Sequence, residues 1–411
     1  MPYSEPRLDR EVPALLVKVG HYPQHHGALG AVRSLGRAGV PVYAMVESRN
    51  TPTAVSRYLA EAFVRPSSGR EDVGELVARL VENGRAIGRR SVAIATDDEA
   101  AVLLAEHADE LSEHFLLPPV PAGLPRRLAS KEGLRLICGE HGVATPRARV
   151  PGCRTELLAA AAEWGLPLVL KNLEAWTRLE RPAVTHNTAV VSSERELLAM
   201  WEAGRSAQHA PSLLAQEYLP PEHSEDWFTH LCCGPGGEPL VVFTGLKLRS
   251  WPPTAGITTR ARALPNPELA ELAVRLCRRI GYSGAADLDW RLDLRDGRYK
   301  LVDFNPRTGA QFRLFETVHG VDVVRALHLS LTGRPVPPGP QVVRSFGLGQ
   351  LDLPSAAVWT WQQRALPRDV APRRGTERAW LCRDDPVPPL VELGWFTAMV
   401  AHRLSQPLRR A

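Results

Sequence analysis

The first hundred residues alternate short apolar runs with helical stretches, and that alternation restricts the fold more than any other feature of the chain. "PALLVKV" (13–19), "VPVYAMV" (40–46), "AEAFVRP" (60–66) and "SVAIAT" (91–96) read as strands. "ALGAVRSLGRAG" (28–39) and the amphipathic "EDVGELVARLVENG" (71–84) read as helices between them. Apolar strands separated by helices imply a parallel sheet covered on both faces. The proline cluster "LLPPVPAGLP" marks a linker, so a first domain is expected over residues 1–120.

The pattern then changes. The helix "RLASKEGLRLICGEHG", the strand "LPLVLKN", the helix "ERELLAMWEAGRSA" and the strand "SLLAQEYL" make a second unit, expected over 121–215. A third, over 216–332, holds the strand "EPLVVFTGLKLRS" and the helix "NPELAELAVRLCRRIG". It also holds two strands, "GAADLDWRLD" and "YKLVDFN", joined by a hairpin turn at Asp296-Gly297. Paired strands of this kind predict antiparallel sheets. Residues 333–411 are Pro-rich and less periodic, and read as a C-terminal extension. It ends in an amphipathic helix that packs on the body or on a second subunit, which keeps a homodimer open.

At 411 residues the chain exceeds one ordinary core. Its 44% hydrophobic and 23% charged residues are those of a globular protein. No apolar run reaches roughly 18 residues, so a membrane span is not expected. "MPYSEPRLDREVP" lacks an apolar signal core, and six cysteines lack regular spacing. Reduced, mostly buried thiols and a cytoplasmic location are therefore expected. The net charge of +5 comes from scattered arginines, and the one basic stretch, "RLSQPLRRA", has no interleaved aromatics. Nucleic acid is not the expected partner, whereas small anionic substrates fit.

The hairpin carries the chemistry. Asp303 and Asn305 share a strand face at i, i+2, and the hairpin brings Asp289 roughly opposite. Two carboxylates and an amide oxygen suit Mg²⁺, which leaves its other positions to substrate phosphates. Asp287 and Asp293 read as solvated. Lys247 and Arg249 also stand at i, i+2, Lys171 ends a strand and Lys131 precedes a helix. Several cations around a Mg²⁺ site describe a polyphosphate clamp. In "AQEYLPPE", a strand running into Glu217 and Leu219 and then two prolines looks like an interdomain hinge beside an adenine edge.

The ordered set Lys131, Lys171, Gln216-Glu217, Lys247/Arg249, Asp289 and Asp303-x-Asn305-Pro306-Arg307 resembles the ATP-grasp superfamily, and most closely its carboxylate–amine ligase branch, over about residues 10–332. The resemblance implies an α/β and α+β multidomain chain. A Rossmann-like pre-ATP-grasp domain would precede a two-lobed ATP-grasp fold, with 121–215 the small lobe and 216–332 the large lobe. It implies ATP held by Lys131 and Lys171, by Glu217 and the Leu219 backbone, and by Glu225 or Asp226 at the ribose. It implies two Mg²⁺ ions on Asp289, Asp303 and Asn305, with Mn²⁺ a substitute. Lys247, Arg249 and Arg307 would act on the phosphoryl group, and Gly309 and Arg313 would face the carboxylate. The implied reaction turns a small carboxylate into an acyl phosphate and passes it to an amine, with lobe closure excluding water.

Two departures stand out. The family's metal carboxylates are often Glu, and here both are Asp. The segment after Lys171, "NLEAWTRLERPAVTHNT", lacks the glycine-rich phosphate loop of many relatives and carries a Trp- and Arg-bearing flap instead. Alternatives are a ligase with a thiol or other acceptor, and a non-catalytic nucleotide-binding regulatory protein. "HYPQHHGALGAVRSLGRAG", with Glu47 ending the next strand, imitates a dinucleotide site, but Gly20, Gly27 and Gly30 miss the G-x-G-x-x-G spacing. Tight helix–sheet packing is the expected role of those glycines. His21, His25 and His26 are poorly spaced for a metal.

Overall fold

A computed structural model of the chain describes residues 6–22, 25–65, 71–173, 188–205, 213–253, 256–364 and 375–405. Five parallel strands form the first sheet: β1 (Ala14–Val17), β2 (Val42–Val46), β3 (Glu61–Val64), β4 (Ser91–Ala95) and β5 (Phe115–Leu116), in the order β3-β2-β1-β4-β5. Helices α1 (His26–Arg37), α2 (Val73–Ile87) and α3 (Asp98–Glu106) connect them. Asp72 caps α2 by accepting from Gly74 N and Glu75 N, and Gly88 closes it in the left-handed conformation that glycine adopts without strain. The glycine-bearing α1 serves packing. Gly27 lies so close to Ala310 that a Cβ would stand 2.9 Å from its Cα, and Gly30 is as tight against Arg313. Glu47 is taken by Lys18 at 2.6 Å and by the Tyr22 N–H at 2.7 Å. His25 accepts from Ala28 N as the α1 cap, and burial holds its pKa well below the usual histidine range.

Four strands make the second sheet, in the order β6-β9-β7-β8 and antiparallel: β6 (Ala148–Arg149), β7 (Leu168–Asn172), β8 (Thr188–Val191) and β9 (Leu213–Glu217). Its small core, with Leu157, Leu170, Leu197 and Trp201, is its own. The helices Leu124–Ala129 and Lys131–His141 precede it in sequence but pack elsewhere. Leu128, Leu134 and Ile137 join Trp227, Leu288, Trp290 and Phe304 of the third sheet.

That third sheet has seven strands: β10 (Ser224–Cys233), β11 (Pro239–Trp251), β12 (Ile257–Ala263), β13 (Gly284–Asp293), β14 (Arg298–Asn305), β15 (Ser345–Gly347) and β16 (Glu377–Arg378), ordered β14-β13-β10-β11-β12-β15-β16. The expected Asp296-Gly297 turn joins β13 to β14, with Gly297 at φ 68°. The central strand β10, "SEDWFTHLCC", is not among the strands expected from sequence, because its polar start hides an apolar second half. Cys232 and Cys233 are buried there, and all six cysteines are free.

The C-terminal segment is part of the body. It supplies β15 and β16, and Asp352, on the helix Gly349–Gln363, takes the guanidinium of Arg249 with bonds of 2.9–3.0 Å. Farther on, Asp385 bonds Arg33 Nε of α1 at 2.8 Å and Ser56 Oγ at 2.8 Å. The final helix, Pro388–Ser405, donates from Trp395 Nε1 to Asn50 O at 2.6 Å and joins the Gly349–Gln363 helix through Gln350 and Glu392. One apolar core runs unbroken from Leu16, Val32 and Ile94 of the first sheet to Phe228, Phe243, Phe315 and Trp380. No helix among the described residues is long and apolar enough to cross a membrane.

Arg249 and Asp352 are both largely withdrawn from water, so removing one strands the other. Asp352→Ala should lower the unfolding free energy by about 3–5 kcal/mol in urea titrations.

Candidate functional site

The β13–β14 pair builds the polar wall of a cleft. Asp289 stands directly across from Asp303, and Asp287 across from Asn305. The register slips by one residue after Asp289, at Val302. This bulge lets Leu301 and Phe304, three residues apart, both enter the core with Leu288 and Trp290. The opposite face thus keeps Val302 among polar groups, two of them carboxylates at cross-strand contact distance.

Cations from three other elements offset that charge. Lys131 Nζ, at the start of its helix, is 2.6 Å from Asp303 Oδ1, and Lys171 Nζ, on β7, is 3.5 Å from the same oxygen. Lys247 Nζ, on β11, is 3.7 Å from Asp289 Oδ1. Burial resists ionisation of Asp303, but Lys131 and Lys171 outweigh it and bring its carboxyl down to about 2. Asp289 moves the other way, because burial, aided by Asp287 and Asp303, outweighs Lys247 and Arg307. Burial also lowers the pKa of Lys171, against the pull of Asp303.

These residues fit a hard cation. Asn305 Nδ2 donates to the Asp287 carbonyl at 3.0 Å, which reserves its amide oxygen for coordination. Asp289 is a half-buried carboxylate whose own ion pair, to Lys247 at 3.7 Å, is long. Among the described residues no three His, Cys, Asp or Glu side chains close into a metal cage. Two carboxylates and an amide are nonetheless enough for an ion that takes its remaining ligands from substrate phosphates.

Past Asn305 the chain turns Arg307 back under this wall. Arg307 Nη1 is 3.0 Å from Asp287 Oδ2, and Nε is 3.4 Å from Asp98 Oδ1 at the start of α3. Asp287 is also held by His230 Nε2 at 3.1 Å. The structure therefore corrects the reading of Asp287 and Asp293 as solvated positions. Both are buried, and Asp293 is bonded by Lys300 at 2.7 Å and Arg295 at 2.6 Å. Asp287 was misread because alternation predicts only which side of a strand a residue takes, not whether that side is covered. Gly309 explains the glycine in "NPRTG", since a Cβ there would stand 2.2 Å from His230 Cε1 and 2.6 Å from Asp287 Oδ2.

The far wall of the cleft, whose cavity volume is about 190 Å³, is the turn after β9. Glu217 lines it, but its carboxylate is engaged by Arg147 Nε at 2.6 Å and Lys300 at 3.5 Å. The Leu219 carbonyl accepts from Arg291 Nη1 at 3.0 Å, and Arg291 Nη2 pairs with Asp226 at 2.6 Å. Asp226 lines the cleft, whereas Glu225 accepts the Trp227 indole N–H. Lys131, Lys171, Lys247, Asp289, Asp303, Asn305 and Arg307 are thus gathered as the sequence order suggested. Arg249 is not. The ladder is irregular between Lys247 and Arg249, the i, i+2 alternation fails, and the guanidinium lies on Asp352, away from Asp289. Residues 174–187, most of the expected flap, lie outside the described residues. Sequence reasoning also missed His230, Arg291 and Asp98; the signal for Asp98, "ATDDEA" after an apolar strand, is no more than an ordinary helix start.

A cleft with a polyphosphate-sized set of cations, paired carboxylates and a hinge is the arrangement of proteins that hold a nucleoside polyphosphate beside a divalent ion. A family model described as carbamoyl-phosphate synthase L chain, ATP binding domain, matches residues 253–332. The D-aspartate ligase of Enterococcus faecium (strain Aus0004) is 25% identical over 345 residues, covering 80% of this chain and 79% of that protein. Among solved structures, an L-amino acid ligase from Bacillus licheniformis is similar with a TM-score of 0.58 and 18% identity, over 79% of this chain and 75% of its own. N5-carboxyaminoimidazole synthetase from Staphylococcus aureus, complexed with ADP, reaches a TM-score of 0.61 at 12% identity, over 83% and 82%. The chain is thus similar to ATP-grasp proteins of the carboxylate–amine ligase branch.

Because Gly309 sets the spacing of His230, Asp287 and Arg307, Gly309→Ala should displace Arg307. ADP release should fall by about 100-fold, and the overpacking should also lower the melting temperature.

Proposed function

We propose that this ATP-dependent ligase activates the carboxylate of an amino acid as an acyl phosphate and joins it to an amine. The observation that carries the reading is the convergence of Lys131, Lys171 and Lys247 on the Asp289–Asp303 pair, with Arg307 beyond it. An amino-acid substrate is supported by the two relatives named as ligases of amino acids.

In this reading the main chain of Glu217 and Leu219 meets the adenine edge, and Asp226 takes the ribose hydroxyls. Lys131 and Lys171 release Asp303 to the metal and turn to the phosphates. Asp289, Asp303 and Asn305 would hold Mg²⁺, as two ions, with Mn²⁺ able to replace them; when bound, the ions neutralise charge on the transferring phosphoryl group. Arg307, pinned by Asp287, faces the substrate carboxylate and steadies the charge that develops as its oxygen attacks the γ-phosphate. The low dielectric of the cleft strengthens each of these contacts. Lys247 supports the phosphoryl group from β11, a role that Arg249 does not share. The protein is expected to work in the cytoplasm on small molecules.

A panel of L- and D-amino acids and dicarboxylates, tested for ADP release with hydroxylamine as acceptor, identifies the acid by its hydroxamate. Lys171→Ala and Asp303→Asn should each cut hydroxamate formation by at least about 100-fold. Full activity in either variant removes that residue from the mechanism. ATP binding without turnover on any acid would instead favour a regulatory nucleotide-binding protein.

A further inference from the structure

The charges around Arg307 do not balance on the side away from the metal face. Asp97, Asp98 and Glu99 open α3 where β4 ends. Asp97 is satisfied by backbone, accepting from Val19 N and Gly20 N at 2.9 Å and from Ala100 N at 2.8 Å. Asp98 shares Arg307 with Asp287. Glu99 has a buried carboxylate oxygen, Oε1, with no hydrogen-bond partner. Lys131, Lys171 and Lys247 are committed to the metal pair, and His25, held far below its ordinary pKa by burial, supplies no positive charge. A second observation lies next to the acids. Thr308, about 98% buried, donates its N–H to the Ala95 carbonyl at 3.2 Å, and its hydroxyl has no partner. Two acids and an unused hydroxyl at this spot match a group that brings positive charge and N–H donors.

We propose that Asp98 and Glu99 receive the ammonium group of the acceptor substrate, and that Glu99 takes the proton this nitrogen must lose before it attacks. The inference rests on the ligase reading above. Asp98 Oδ1 lies 3.4 Å from Arg307 Nε, so a group held by Asp98 sits beside Arg307. Glu99 feels Asp97, Asp98 and Arg307. Burial, then Asp97 and Asp98, push its carboxyl up to about 8 against the opposing Arg307, which matches it to a proton transfer near neutral pH. The step balances. Glu99 takes one proton from the ammonium and becomes a carboxylic acid. The freed amine forms the C–N bond as the acyl carbon–oxygen bond to phosphate breaks. The second N–H proton departs with the phosphate as hydrogen phosphate, and Glu99 returns its proton to solvent.

The test compares two acceptors with the acid found by the hydroxamate assay. Hydroxylamine is largely neutral near pH 7 and needs no base; amino acids and alkylamines arrive as ammonium ions. Glu99→Gln should lower amide formation by about 100-fold or more and leave hydroxamate formation within about threefold. Glu99→Asp should recover part of the loss. Equal loss with both acceptors, in a variant that still melts normally and is stabilised by ADP, overturns the inference, as does no loss at all. So does a parent enzyme that makes hydroxamate but joins no ammonium-bearing acceptor. If Glu99→Gln does not fold, Glu99→Asp carries the test, with a smaller loss of amide formation and hydroxamate formation again within about threefold. Absence of hydroxamate from the parent with every acid removes the ligase reading itself.

Discussion

Asp289 and Asp303 face one another across two strands in a partly dry cleft, and that repulsion organises much of what surrounds it. Two carboxylates at this separation cannot both stay ionised without nearby positive charge. The chain answers from three elements outside the hairpin, with Lys131, Lys171 and Lys247. The lysines split unevenly, two on Asp303 and one on Asp289. One carboxylate is therefore firmly ionised, while the other is poised to gain most from an added cation. The same charges that stabilise the empty cleft are those a nucleotide and its metal would use.

The architecture of this centre was largely legible in the sequence, because it rests on local rules. The hairpin turn, the i, i+2 pair Asp303 and Asn305, and the facing Asp289 follow from strand periodicity. The same rule failed at Lys247 and Arg249, where an irregular ladder breaks alternation and a partner 103 residues away claims the arginine. It failed differently at Asp287. That residue's face was readable, but its burial depends on His230, Arg307 and Gly309, which come from other strands and a later turn. Asp98 was out of reach for a related reason. Its meaning comes from Arg307, more than two hundred residues further along the chain.

The first sheet and the third are one physical unit. Their shared core, the Arg33–Asp385 bond and the Ser34–Asp322 bond of 2.6 Å would all be broken by separating them. This is why acids at the end of β4 can hold a fixed position against an arginine that follows β14. Precision across such a junction needs a packed interface rather than a linker. The C-terminal segment secures it, touching α1 with one end and β12 with the other.

The separate core of the four-stranded sheet has a mechanical consequence. That sheet carries Lys171 and the hinge residue Glu217, yet its apolar cluster merges with neither of the others. It meets the rest of the molecule largely through ion pairs, such as Lys171 with Asp303 and Lys300 with Glu217. Polar contacts exchange with water at little net cost, whereas opening a shared apolar core is expensive. A swing of that sheet would open the cleft while Asp98, Asp287 and Arg307 keep their spacing.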